Sequence, residues 1–224
     1  MAQQLSFDLP VRQALGREDF FVSPANAAAV GLIEGWQDWP ARKLLLIGPT
    51  GAGKTHLAHV WAALAGATIL KASDLAGADI PTLARAPVAV ENAETTAGDR
   101  TAEEALFHLH NLVLAEGQSL LITTGLPANR WGLALPDLAS RMEGTPATTL
   151  DAPDDALLAA VLMKQMADRQ LSPSPGTIPY LVKRIDRSFS AAREIVERLD
   201  STALDQGAPI TRALAAKVLD KPAR

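Results

Sequence analysis

Eight consecutive residues carry the strongest chemical signal in the chain: Gly48-Pro49-Thr50-Gly51-Ala52-Gly53-Lys54-Thr55. They fit the pattern GxxxxGK[ST] at every fixed position. Glycines at these places let successive backbone N–H groups point inward, into a concavity that suits phosphate oxygens. The Lys54 ammonium is a point charge for the outer phosphates, and the Thr55 hydroxyl is a hard oxygen ligand for Mg²⁺. A helix opening at Lys54 aims its positive end at the same anion. The ligand this chemistry calls for is a purine nucleoside di- or triphosphate, ADP or ATP, with Mg²⁺.

Such a loop works only when a strand and a helix hold it. Residues 43–47, Lys-Leu-Leu-Leu-Ile, form a short continuous apolar run, as expected of a strand covered on both faces. A helix is expected from Lys54 to about Ala65. Further strands are expected at 67–71, 87–90 and 119–123, with a weaker one at 147–150. Strands alternating with helices imply a parallel sheet built from βαβ units. Thr101-Ala102-Glu103-Glu104 reads as a capping box ahead of Leu106, Leu109 and Val113 at helical spacing. After Asp151 the texture changes: 154–169, 178–185, 190–204 and 210–219 read as helices, punctuated by Pro173, Pro175, Pro179 and Gly207-Ala208-Pro209. The expected organisation is a short tail over residues 1–10, an α/β nucleotide-binding core over 11–150, and an all-helical lid over 151–224.

Composition narrows the function classes. The chain has 224 residues, 48% of them hydrophobic, enough for a core and a small appendage. A net charge of −4 lacks the basic bias of a free-standing nucleic-acid binder, so no strong direct DNA binding is expected. The absence of cysteine excludes disulfides and thiolate metal sites. His56 and His59 have no third ligand near them in sequence, which argues against a histidine metal site. No apolar run reaches the length of a membrane span, and Met1 to Pro10 is unlike a secretory signal, so a cytoplasmic protein is expected. Trp36, Trp39, Trp61 and Trp131 are expected in or near the core.

Gly48 to His59 resembles the phosphate loop of the DnaA family of replication initiators, a branch of the AAA+ P-loop ATPases, and the likeness extends over about residues 18–219. Asp19-Phe20-Phe21-Val22 followed by Asn26 is similar to the segment that packs near the base in that family. Pro136-Asp137-Leu138-Ala139-Ser140-Arg141 resembles its arginine-finger motif, and Ser190-Ala191-Ala192-Arg193-Glu194 its sensor-2 motif. The resemblance implies an AAA+ core with a parallel five-stranded sheet and a helical lid. It implies nucleotide contacts from Pro49 to His56 and from Phe21, Val22 and Arg193, with Glu91 at the magnesium-binding strand end beside Thr55. Arg141 is then a finger acting in trans, since a planar, permanently charged guanidinium suits phosphoryl transfer.

No helix-turn-helix module follows Leu219, so the family's DNA-binding domain is expected to be absent. Gln4-Leu5-Ser6-Phe7-Asp8-Leu9 resembles the motif by which Hda-type regulators of this family dock on the DNA polymerase III sliding clamp. Gln4 offers amide hydrogen bonds, while Leu5, Phe7 and Leu9 offer apolar anchors. The partners implied are the clamp, the DnaA initiator, and a nucleotide-dependent second copy of the chain. Two departures bear on hydrolysis. Asn92 follows Glu91 where a second acid is usual, and Gly125 follows the fourth strand where a polar sensor is usual, with Thr124 as a substitute. Glu94 would need a different loop path to serve. Nucleotide binding with feeble intrinsic hydrolysis is therefore expected. The alternatives are an autonomous ATPase resembling helicase loaders, and an origin-DNA-binding factor.

Overall fold

A computed structural model describes Gly16 and residues 20–220. Helix α1 (Ala27–Glu34) leads to β1 (Lys43–Ile47), α2 (Lys54–Ala65), β2 (Thr68–Lys71), a short α3 (Ile80–Leu83) and β3 (Val88–Glu91). There follow α4 (Arg100–Ala115), β4 (Leu120–Thr124), α5 (Pro136–Glu143) and β5 (Ala147–Thr149). Beyond the sheet lie α6 (Asp155–Asp168), α7 (Thr177–Val182), α8 (Phe189–Gln206) and α9 (Arg212–Leu219). Among the described residues no helix is long and apolar enough to cross a membrane.

The five strands form one parallel sheet in the order β2-β3-β4-β1-β5. Its three inner strands are the apolar runs. Leu44 to Leu46, Val88 to Val90 and Leu120 to Ile122 are all buried, as strands roofed on both faces must be. Side chains alternate between the faces. Leu44, Leu46, Ala89 and Leu121 meet Ile33 of α1 and Leu57 and Trp61 of α2. Leu45, Val88, Val90, Leu120 and Ile122 meet Leu106 and Leu109 of α4 and Leu138 and Met142 of α5. Trp39 stacks on Trp61 at 5.3 Å between ring centres, and Trp61 is fully buried. A separate apolar cluster, including Leu162, Met166, Leu181, Ile195, Leu199 and Leu214, unites α6 to α9.

This order positions a site. The helix after β1 lies on one face and the helix after β4 on the other, so the neighbouring ends of β1 and β4 open a crevice between them. Ligands of open α/β sheets bind at such a switch point.

One expected local feature is different. The helix after residue 99 is capped by Asp99, whose carboxylate accepts from the N–H groups of Thr101 (3.0 Å) and Ala102 (3.2 Å). Thr101 lies inside the helix, so the capping box does not form. Asp99, two residues earlier, already satisfies the free donors. Glu103 does other work: one oxygen accepts from Gly98 (3.0 Å) and Ala134 (3.1 Å), the other from Leu135 (2.7 Å).

Candidate nucleotide site

The glycine-rich loop leaves the end of β1 and enters α2. Gly51 and Gly53 have φ of +77° and +97°, a conformation that side-chain-bearing residues rarely adopt. Ala52 is buried, while Pro49, Thr50 and Thr55 are exposed. The Lys54 ammonium folds back on its own loop, donating to the carbonyls of Gly48 (2.6 Å) and Pro49 (3.1 Å). Burial lowers its pKa, and the carboxylates of Glu94 and Glu91 oppose that.

Glu91 ends β3 and is 7% exposed, and its Oε1 is buried without a hydrogen-bond partner among the described residues. Asn92 then turns the chain in the left-handed region (φ 55°, ψ 47°), with its N–H donating to Thr123 Oγ1 at 3.2 Å. The 3₁₀ turn Ala93–Thr96 follows. This is the different loop path that Glu94 requires, and it brings the Glu94 carboxylate to the end of β4. There Oε1 accepts from the Gly125 N–H at 2.7 Å, and Oε2 is buried without a partner among the described residues. A β-carbon on Gly125 would stand 3.0 Å from that Oε1. The glycine that looks like the loss of a polar group makes room for one.

Thr124, the substitute sensor of the sequence reading, is held within its own turn. Its hydroxyl donates to the Leu126 carbonyl at 2.8 Å and accepts from the Leu126 N–H at 3.1 Å, so it is spent within its own turn.

The lid begins on the phosphate loop. The Phe189 N–H, first in α8, donates to the Gly51 carbonyl at 2.8 Å. A β-carbon on Gly51 would lie 2.6 Å from Ser188 Cβ, and one on Gly53 would lie 2.9 Å from the Phe189 ring. Arg193 lies in the first turns of α8, half-buried, and makes no hydrogen bond or ion pair with another described residue. Phe21 and Val22 are 37% and 51% exposed, whereas Phe20 is buried and meets the His56 ring edge to face at 5.0 Å. His56 Nε2 donates to the Gly16 carbonyl at 3.0 Å. Within the quoted segment two adjacent phenylalanines differ in nothing, and only the backbone decides that Phe20 turns inward and Phe21 outward.

Arg141 is elsewhere. It lies within α5 and is exposed. Its carbonyl accepts from Lys43 Nζ at 3.3 Å, beside the first residue of β1, whereas the phosphate loop leaves the last. Its guanidinium has no ion-pair partner among the described residues. Gln4, Leu5, Phe7, Leu9 and Asp19 lie outside the described residues.

No protein-family model matches the chain. Domain III of the replication initiation protein DnaA from Thermotoga maritima is similar over 96% of this chain and 100% of its own length, with a TM-score of 0.79 at 16% identity. AMPPCP-bound DnaA from Aquifex aeolicus is similar over 85% of this chain and 65% of its own, with a TM-score of 0.68 at 15% identity. The AAA domain of FIGL-1 in complex with ADP is similar over 88% of this chain and 78% of its own, with a TM-score of 0.64 at 11% identity. The chain has the AAA+ fold, an α/β core with a parallel five-stranded sheet followed by a helical lid.

Proposed function

We propose that this chain is a nucleotide-binding regulator of replication initiation of the Hda type. In this reading it docks on the polymerase sliding clamp and stimulates ATP hydrolysis on the DnaA initiator. The observation that carries the trans action is the separation of its two parts. The phosphate loop lies at the end of β1, while an exposed arginine, Arg141, with no ion-pair partner among the described residues, sits beside the start of the same strand. An arginine so placed is of no use to its own nucleotide and is free to enter a neighbour's. The neighbour is the initiator, or a second copy of the chain in a nucleotide-dependent oligomer.

In its own site, backbone N–H groups from Pro49 to Thr55 bind the phosphates, and Lys54 leaves the Gly48 and Pro49 carbonyls to meet the outer ones. Phe20, His56 and Phe189 enclose the loop, and Arg193 reaches in from α8. The AMPPCP and ADP complexes of the similar folds support a nucleotide here. Mg²⁺ fits the residues present, because Glu91 offers a buried oxygen with no partner among the described residues and Thr55 an exposed hydroxyl at the helix start. When bound, Mg²⁺ neutralises charge on the phosphate oxygens. Among the described residues no cluster of three acids or histidines could hold an ion alone, so Thr55 and Glu91 would share it with phosphates and water.

The test is ATP hydrolysis on the cognate initiator, with this protein present and absent and with the clamp loaded on DNA. Acceleration is expected only with clamp, and Arg141→Ala and Gln4→Ala should each abolish it while leaving nucleotide binding intact. No acceleration by the wild type, or full acceleration by Arg141→Ala, would remove the regulator reading.

An autonomous ATPase is the second reading, and one observation favours it: the Glu94 carboxylate within the site. Substantial turnover by the isolated protein would decide for it.

A further inference from the structure

The sequence around β3 suggests that the site has one acid where an ATPase needs two. The loop after Glu91 argues otherwise. Asn92 is exposed, and its left-handed backbone turns the chain back on itself. Glu94, two residues on, is thereby carried between the ends of β3 and β4. Its Oε1 is fixed by the Gly125 N–H at 2.7 Å, which sets the orientation of the whole carboxylate. Its Oε2 is buried and has no partner among the described residues, as is Oε1 of Glu91 beside it. Buried acceptors are normally satisfied by protein or by ordered water, so two orphaned carboxylate oxygens in one crevice point to something that binds there. Lys54, the residue that meets the outer phosphates, interacts with both carboxylates, and with Glu94 more strongly. Both carboxylates therefore lie within electrostatic reach of the lysine of the phosphate loop, and the Gly125 contact places that of Glu94 at the end of β4.

We infer that Glu94 holds the water that attacks the outer phosphate, a role that Asn92 cannot fill, and that Gly125 is glycine because this carboxylate must approach the end of β4. The inference rests on the nucleotide-binding reading given above and goes beyond it. In the step, the water oxygen forms a bond to the outer phosphorus. The bond from that phosphorus to the bridging oxygen breaks, and its electron pair leaves on ADP. A water proton passes to Glu94 Oε2. Oε1 stays on Gly125, so that only one oxygen is free to take it. The balance is ATP and water in, ADP and phosphate out, with one proton released once Glu94 gives it up. Turnover by the isolated chain stays slow without a neighbour's arginine, but what turnover there is runs through Glu94.

Glu94→Gln retains an oxygen for Gly125 and removes the base. Single-turnover hydrolysis should fall on the order of a hundredfold. A second readout does not depend on hydrolysis. Neutralising a negative group beside the outer phosphate should raise affinity for ATP relative to ADP severalfold, since the diphosphate lacks the repelled group. Gly125→Ala, which pushes the carboxylate away, should move both readouts in the same direction. Asn92→Gly keeps the left-handed turn and should leave both unchanged. If turnover is too slow to follow, the affinity ratio alone decides. Wild-type values for both Glu94→Gln and Gly125→Ala, in a protein that binds nucleotide, would overturn the inference and leave the binding reading standing. A wild-type protein that binds neither ATP nor ADP would overturn both.

Discussion

His110 is buried, and its Nε2 accepts from the Lys43 ammonium at 3.1 Å, which puts its proton on Nδ1 toward Asn111 Oδ1 at 3.2 Å. Burial, with the charges of Lys43 and Arg141 nearby, pushes its pKa from 6.5 down to about 4, while the Asn111 hydrogen bond opposes the shift. Between those values the unfolded chain takes up a proton that the native chain refuses. Stability from this group is therefore present above about pH 6.5 and is lost as the pH falls toward 4. The melting temperature is expected to drop across that window. His110→Gln, which keeps an acceptor for Lys43 but cannot titrate, should flatten the drop. At this scale the sequence was legible where residue type alone decides, as at Gly51 and Gly53, whose positive φ suits glycine. It was not legible where a backbone choice decides. Asn tolerates the left-handed region without requiring it, so nothing in Glu91-Asn92-Ala93-Glu94 announces that the second glutamate returns to the site. Likewise Thr124 could have faced the crevice, and its own turn captured it instead.

Glu103 shows what one side chain does between elements. It is 1% exposed and joins the start of α4 to the loop that opens α5, the helix bearing Arg141. Burial alone would push its carboxyl up, but the donors of Ala134, Gly98 and Leu135 outweigh that and hold it below the ordinary carboxylate value. Glu103→Ala leaves those donors to whatever water can reach them. It should cost about 2 kcal/mol of stability, read as a lowered denaturation midpoint, with the Gln variant between. The elements themselves were legible because the apolar runs are strong. Each of the five strands and each lid helix lies within a few residues of its expected position. The four-residue α3 was missed, since so short a helix has no periodicity to reveal it. The capping box was misplaced because Asp99 and Thr101 both suit a cap, and which one captures the free N–H groups depends on where the chain enters the helix.

Across the whole molecule, the lid does not merely follow the core in sequence. It hydrogen-bonds to the phosphate loop through Phe189 and Gly51. In the proposed reading a nucleotide entering the loop must accommodate α8, the helix that carries Arg193. The outward-facing Arg141 lies at the other side of the core, so an assembly that inserts it into a neighbour's site is head-to-tail, with two different surfaces in contact. Each of these roles presupposes that the loop holds a nucleotide. The measurement that tests this most directly is calorimetric binding of ATP and ADP, with Mg²⁺, to the wild type and to Lys54→Ala. The wild type is expected to bind both. Loss of the buried ammonium should weaken binding by on the order of 2 kcal/mol or more, roughly thirtyfold, with the fold unchanged by circular dichroism. No binding by the wild type, or equal binding by Lys54→Ala, would contradict the account.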